Sequence, residues 1–406
     1  MPIKRLTRRA RVALFLVLAL PGFLSGPVRA VEIKSASAAH SWLEISQSAF
    51  EENIRTLQKL VGDQVKICAV MKADAYGHGI ELLMPSIVAL QVPCVGITSN
   101  QEARLARAKG FTGQLVRLRT ATLGEVEEAL DLRVEELVGN LGYGKNVSAI
   151  AGQHGRTIRY HLALNSAGMS RNGLELKVAQ GREDALALLQ LPHLEIVGIM
   201  THFPVDDVAD VRKGLAAFNE ESAWVMAHGK LDRKKITLHT ANTFTTLSVP
   251  EAWLDMVRPG GALYGEVIPG HPEYKRVMEF KTRVAVVNHY PAGNTVNYDR
   301  TYTLKRDSAL ANIPVGYSDG VRRIFSNRGH VLIRGKKLPI IGRVTMNTIM
   351  VDVTDAPEVQ ASDEVVLFGK QGNLEITQDD LEKDAETILD DLSTMWGNSN
   401  PKLLVK

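Results

Sequence analysis

Short apolar runs punctuate residues 65–258 and alternate with stretches in which apolar positions return every three or four residues. The runs at 65–72, 93–98, 114–119, 134–139, 157–164, 195–202, 235–240 and 254–258 are too short for ordinary helices and rich in Val, Ile and Leu, so they predict buried strands. The intervening stretches, such as 101–109, 123–130, 174–180 and 213–227, predict helices. Eight such strand–helix repeats in just over 200 residues fit a closed (β/α)8 barrel, which usually takes about 250 residues. An open doubly wound sheet is the competing arrangement. It leans on a dinucleotide fingerprint or a Walker sequence, and neither occurs: 141–145, Leu-Gly-Tyr-Gly-Lys, lacks the spacing and the Ser/Thr of a P-loop.

The texture changes after Pro272. Segments 280–289, 308–314, 330–333, 338–343, 348–354 and 364–368 are short, β-rich and broken by Gly, Pro and Asn, which predicts a separate, mostly antiparallel domain. A helical pattern follows at 378–392. Residues 43–50 begin as a strand and pass into a helix with Ser46 as its cap. Because this strand precedes the first barrel helix, it is free to pair with the second domain. The expected division is 31–45 for the N-terminal strand, 46–275 for the barrel and 276–406 for the β domain.

The first 30 residues stand apart from the fold. A basic stretch (Lys4, Arg5, Arg8, Arg9, Arg11) precedes an apolar run at 12–20, and Val28-Arg29-Ala30 has the small-x-small form of a cleavage site. The run is well short of the roughly 20 residues that span a bilayer. A cleaved signal peptide and a periplasmic destination are expected, with an uncleaved anchor as the alternative. Of the chain's 48 basic residues, six lie in this leader, leaving 42 against 45 acidic ones. The net charge thus turns from +3 to −3, and the basic pI gives no support to nucleic-acid binding. No metal-ligand spacing appears. The two cysteines, Cys68 and Cys94, lie in consecutive predicted strands. An oxidising destination makes a disulfide between these neighbours the expectation, with a pair of buried thiols if the register slips.

Several predicted strands end in side chains that can carry chemistry. The first ends in Lys72, the fifth leads to Arg171, the sixth ends in Thr201-His202, the seventh leads to Asn242-Thr243, and the eighth to Arg258-Pro259-Gly260-Gly261. The carboxyl ends of barrel strands are where active sites form, and paired glycines leave backbone N–H groups open to a phosphate. Each of these residues alone reads as readily as structural, Lys72 as a solvated strand-end lysine; their coincidence points to one anionic cofactor.

The chain resembles the alanine racemase family of fold-type III pyridoxal-phosphate enzymes. The resemblance is carried by Ala69-Val70-Met71-Lys72-Ala73-Asp74-Ala75-Tyr76-Gly77-His78-Gly79, Gly168-Met169-Ser170-Arg171, Gly198-Ile199-Met200-Thr201-His202-Phe203, His239-Thr240-Ala241-Asn242-Thr243 and Met256-Val257-Arg258-Pro259-Gly260. In the second domain it is carried by Asn297-Tyr298-Asp299-Arg300-Thr301-Tyr302, Gly316-Tyr317-Ser318-Asp319-Gly320 and Gly342-Arg343-Val344-Thr345-Met346-Asn347. It implies a barrel plus β domain and a head-to-tail homodimer with shared sites. It further implies that Lys72 links covalently to pyridoxal phosphate, and that Tyr76, His202, Asn242, Thr243, Gly260 and Gly261 hold the cofactor. Arg258 then faces the pyridine nitrogen, and Tyr298 arrives from the partner subunit as the second acid/base, supported by Arg171 and His202. Met346 supplies an amide near the substrate carboxylate, and Tyr317 lines the entrance.

Racemisation needs proton donors and acceptors on opposite faces of one carbon, which a lysine and a tyrosine provide. The sequence departs from the commoner family pattern in 165–171, Asn-Ser-Ala-Gly-Met-Ser-Arg, and at Ala163, Thr345 and Asn347. These departures resemble the periplasmic broad-specificity amino-acid racemases, and imply free amino acids including Lys, Arg, Met, Ala and Ser as substrates. A bound anion near Asn165, and Asn398 in place of a C-terminal phosphate-binding tyrosine, are further expectations of the resemblance. A narrower alanine or lysine/arginine racemase, a pyridoxal-phosphate decarboxylase and a non-catalytic binding protein are the alternatives.

Overall fold

The computed structural model describes residues 39–406 other than 267 and 269; the leader assigned to 1–30 lies outside the described residues. The chain opens with strand β1 (Ser41–Ser46) and the helix Gln47–Val61. Ser46 caps that helix through its hydroxyl, which accepts from the Ala49 N–H at 3.2 Å. Phe50, Asn53, Ile54, Leu57 and Val61 recur at the helical period on the buried face.

Eight parallel strands follow: β2 (Lys66–Val70), β3 (Cys94–Ile97), β4 (Gln114–Arg117), β5 (Val134–Val138), β6 (Ile158–Ala163), β7 (Leu194–Met200), β8 (Thr237–His239) and β9 (Met256–Val257). They are hydrogen-bonded in the order β8-β7-β6-β5-β4-β3-β2-β9. The seam between β8 and β9 is spanned by Asp255 N–H to Leu238 O (3.1 Å) and Arg258 N–H to Ala241 O (2.8 Å), so the barrel is nearly closed. Strands covered on both faces have no solvent side, which is why they read as continuous apolar runs. Cys68 and Cys94 lie directly opposite in the β2–β3 register and form a disulfide. That pairing was the expected one.

The remaining strands are β10 (Met278–Arg283), β11 (Val286–Tyr290), β12 (Ser308–Ile313), β13 (His330–Ile333), β14 (Lys336–Ile341), β15 (Ile349–Asp352), β16 (Glu364–Gln371), β17 (Leu374–Ile376) and β18 (Lys402–Val405). With β1 they form a second sheet ordered β11-β12-β15-β14-β13-β16-β10-β1-β18, with β17 on β16. Its pairs are antiparallel except β1 with β18. The fold is therefore a barrel with a C-terminal, mostly antiparallel β domain.

Three predicted elements are corrected. Segment 174–180 is not a helix: Leu174 bridges to Leu164 beside the barrel, and the helix is Ala179–Leu188. The pattern at 280–289 is two strands, because the chain leaves β16 after Arg283 and pairs with β12 from Val286 onward. The pattern at 378–392 breaks at Glu386, whose φ of 52° is left-handed, into helices Gln378–Ala385 and Leu389–Ser399. Periodicity cannot register a single residue of the wrong hand.

Candidate active site

Strand β2 ends at Val70, and Lys72 follows the buried Met71. The backbone then turns left-handed through four non-glycine residues, Ala73 to Tyr76, with φ between 53° and 56°. Such a conformation costs about 1–2 kcal/mol per residue and persists only where its surroundings over-determine it. Here they do. Asp74 donates its N–H to Glu102 (3.3 Å), its carboxylate accepts from the Ile80 N–H (2.8 Å), and Lys402 lies 3.0 Å from its other oxygen. His78 Nδ1 meets the carbonyls of Ala75 and Tyr76 at 2.9 and 3.1 Å, so that nitrogen carries the proton. The turn closes on Gly77, where a Cβ would strike the Ser393 carbonyl.

The turn presents Lys72 and Tyr76 to a cavity of about 720 Å³ at the carboxyl ends of the barrel strands. The Lys72 ammonium lies 5.4 Å from the Tyr76 ring centroid. Arg171, His202, Asn242, Thr243, Arg258, Gly260 and Gly261 line the same cavity. Nine positions read from the sequence thus converge, although they come from five separate strand ends.

One side of the cavity is shaped for a small anion. Thr243 Oγ1 accepts from the N–H groups of Gly260 (3.0 Å) and Ala262 (3.3 Å), and a Cβ on Gly260 would collide with the Tyr76 hydroxyl. Only a bare glycine allows the hydroxyl and the backbone amides to face one space. The donor set of phenol, hydroxyl, backbone N–H groups and an ammonium fits a phosphate-bearing aldehyde such as pyridoxal phosphate. Burial raises the Tyr76 pKa well above its ordinary value, with Asp390 and Glu266 adding to the rise, so it stands as a neutral donor.

The deeper side is built round Arg258, which is buried. Its guanidinium donates to the carbonyls of Thr201 and Thr240 at 3.1 Å each, and to His239 Nδ1 at 2.8 Å. A guanidinium only donates, so His202 Nδ1, 3.4 Å away, faces it as an unprotonated nitrogen. Burial and then the charges of Arg258, Arg171 and Lys72 bring the His202 pKa down to about 3, leaving the ring neutral in ordinary buffers. Burial and Arg171 lower Arg258 to about 9, so it remains a cation near neutrality.

The other predicted residues lie elsewhere in the chain. Tyr298, Tyr317 and Thr345 border a separate cleft with Arg322 and Arg323, and Tyr298, Tyr317 and Met346 are all exposed. Tyr317 N–H bonds Thr345 O and Ser318 N–H bonds Met346 O, both at 3.0 Å, which fixes the two segments side by side. Asn398 does not join the cavity. It is exposed on the helix Leu389–Ser399, because Gly397 before it packs backbone-to-backbone on Gly77. Asn165 is engaged within its own loop, bonding Glu175 at 2.9 Å and the Ser170 N–H at 2.7 Å. Sequence reasoning missed Glu135, His161 and His239, which extend inward from Arg258. Their signal was a carboxylate or imidazole side chain within a buried barrel strand.

Comparison with known proteins agrees with this geometry. Residues 45–267 match the alanine racemase N-terminal domain and residues 277–404 match the alanine racemase C-terminal domain. The chain belongs to the alanine racemase family. Within that family it is 58% identical over 402 residues to the broad specificity amino-acid racemase of Pseudomonas taetrolens, covering 98% of each chain. It is 50% identical over 374 residues to the lysine racemase of Proteus mirabilis, covering 92% of each. The crystal structure of the alanine racemase of Bartonella henselae with covalently bound pyridoxal phosphate matches with a TM-score of 0.77 at 26% identity, over 90% of this chain and 100% of that one.

Proposed function

We propose that this protein is a pyridoxal-phosphate-dependent racemase of free amino acids with broad side-chain specificity. The observation that carries the reading is the single cavity in which Lys72 stands between an anion cup and a buried arginine. The close relationship to a broad specificity racemase supports it. When bound, the cofactor supplies an electron sink that weakens the Cα–H bond of the amino acid joined to it.

The chain's residues do the rest. Lys72 would hold the cofactor covalently and would serve as the base on one face of the substrate carbon. Tyr76, Thr243 and the Gly261 N–H would hold the phosphate, with the Gly260 N–H fixing the Thr243 hydroxyl at 3.0 Å and Asn242 ordering that loop through its bond to the Thr245 N–H at 2.9 Å. Arg258 would stand against the ring nitrogen of the cofactor and, as a group that gives up its proton reluctantly, would leave that nitrogen unprotonated. Tyr298 holds or returns the proton on the opposite face. Its exposure, in a cleft separate from the Lys72 cavity, suits a residue delivered by a second copy of the chain, so the working unit is a homodimer. Arg171 and the neutral His202 support that tyrosine; Met346 offers its amide to the substrate carboxylate, and Tyr317 narrows the entrance. Export to the periplasm fits the leader.

Borohydride treatment of the purified yellow protein, followed by peptide mapping, tests the attachment: label on Lys72 supports it, and label on another lysine removes it. A narrower lysine racemase is the second reading, favoured by the 50% identical relative from Proteus mirabilis.

A further inference from the structure

A file of buried polar groups runs down the barrel interior from Arg258. Arg258 Nη1 lies 2.8 Å from His239 Nδ1, His239 Nε2 lies 2.8 Å from His161 Nδ1, and His161 Nε2 lies 2.9 Å from Glu135 Oε2. The two histidines are fully buried, and Glu135 and Arg258 are 2% and 4% exposed. The file is built into the backbone. A Cβ on Gly198, which pairs with His161 in the β6–β7 register, would collide with the His161 ring, and the register slips by a residue just before this pair.

The direction of every proton in the file follows from its two ends. A guanidinium can only donate, so His239 Nδ1 must accept, and its proton sits on Nε2. His239 then donates to His161 Nδ1, which places the His161 proton on Nε2. That proton meets a carboxylate, which can only accept. Burial, then Arg258 and His161, hold the His239 pKa well below its ordinary value, so the ring beside Arg258 stays neutral.

We infer that Glu135 is a positioning residue for Arg258, fixing through His161 and His239 the tautomer that lets the guanidinium seat in the barrel. The inference rests on the reading that Arg258 faces the cofactor. Without the carboxylate, the His161 Nε2–H is a buried donor with no acceptor, and both rings gain by reversing. Reversal turns a His239 Nδ1–H toward an Arg258 N–H, donor against donor, and displaces the guanidinium. Glu135 also pairs with Arg159 at 2.6 Å and receives long bonds from Gln114 at 3.4 and 3.5 Å. Those partners explain a carboxylate at this position but assign it no bearing on Arg258, so they define the control.

The test uses holoenzyme labelled with 15N-histidine, in which nitrogen shifts report each tautomer. The wild type should show His161 and His239 both protonated on Nε2. Glu135→Leu should switch at least one to Nδ1, move the visible band of the lysine-bound cofactor, and lower kcat about tenfold or more with KM changed less than about threefold. Glu135→Gln, whose amide oxygen still accepts from His161, should retain the wild-type tautomers and most of the rate. Arg159→Gln should alter neither. A wild-type His239 protonated on Nδ1 would overturn the inference, as would Glu135→Leu holoenzyme with unchanged tautomers, band and kcat. If Glu135→Leu does not fold, His161→Leu removes the same acceptor from His239 and must reproduce the band shift and rate loss. Wild-type enzyme lacking the visible band or racemase activity would instead defeat the functional reading itself.

Discussion

Lys402 Nζ lies 3.0 Å from Asp74 Oδ2, so the last strand of the chain fastens the left-handed turn that carries Lys72 and Tyr76. The same ammonium donates to Gly397 O at 2.7 Å. Neither group is fully exposed, and the pair adds a charged anchor to the hydrogen bonds that hold the strained turn. Lys402→Met should destabilise the protein by about 1 kcal/mol in urea unfolding, a value reduced from that of a buried charged bond by partial solvent screening. It should also weaken cofactor retention more than it lowers kcat. Unchanged cofactor affinity would show that the turn holds its shape without the C-terminal strand.

Lys72→Ala should abolish racemisation in both directions, together with the visible band of the lysine-bound cofactor. Tyr298→Phe should impair the two directions unequally, because each begins with a different base; solvent isotope exchange from each enantiomer measures this. Equal, trivial effects would remove Tyr298 from the mechanism.

Mixing inactive Lys72→Ala chains with impaired Tyr298→Phe chains should raise activity above that of either variant alone, since a shared site in the hybrid dimer can unite both wild-type residues. Light scattering that finds a fully active monomer would refute the shared site.

Stability should fall in acid through His78, His239 and the half-buried His202. Burial lowers His78 to about 4 and His202 to about 3, both from 6.5, and takes His239 well below 6.5. The folded protein keeps these rings neutral while the unfolded chain takes up protons below about pH 6.5. Their stabilising contribution is therefore full above that value and is lost as pH falls from 6.5 toward 4 and 3. The melting temperature should drop steeply between pH 6.5 and 4. A flat profile over that interval would contradict the burial of these rings.

A panel of kcat/KM values on L-Ala, L-Ser, L-Met, L-Lys, L-Arg and L-Val measures specificity. Each extra methylene offers only about 0.8 kcal/mol of burial, so discrimination among unbranched side chains should be shallow. Valine should be poor, because its branch crowds the carbon whose proton moves on both faces. A preference for alanine above about a thousandfold would reject broad specificity, and activity confined to lysine and arginine would select the narrower reading.

The sequence by itself determined the barrel strands, the β-rich second unit and the residues at the strand ends, because local composition encodes all three. A strand buried on both faces must be apolar throughout, and a lysine or histidine at its end marks the exit. The Cys68–Cys94 pairing was legible for the same reason, since consecutive barrel strands are neighbours. Tertiary structure alone decided the rest. The left-handed run from Ala73 to Tyr76 has no glycine to announce it and exists because Glu102 and Lys402, 28 and 328 residues away, hold Asp74. Asn398 could not be placed from its neighbours, since the Gly397–Gly77 approach sets which way its helix faces. The file from Glu135 to Arg258 is likewise invisible in any window of sequence. Its members come from three strands and one strand end, and only closure of the barrel brings their donors and acceptors into line.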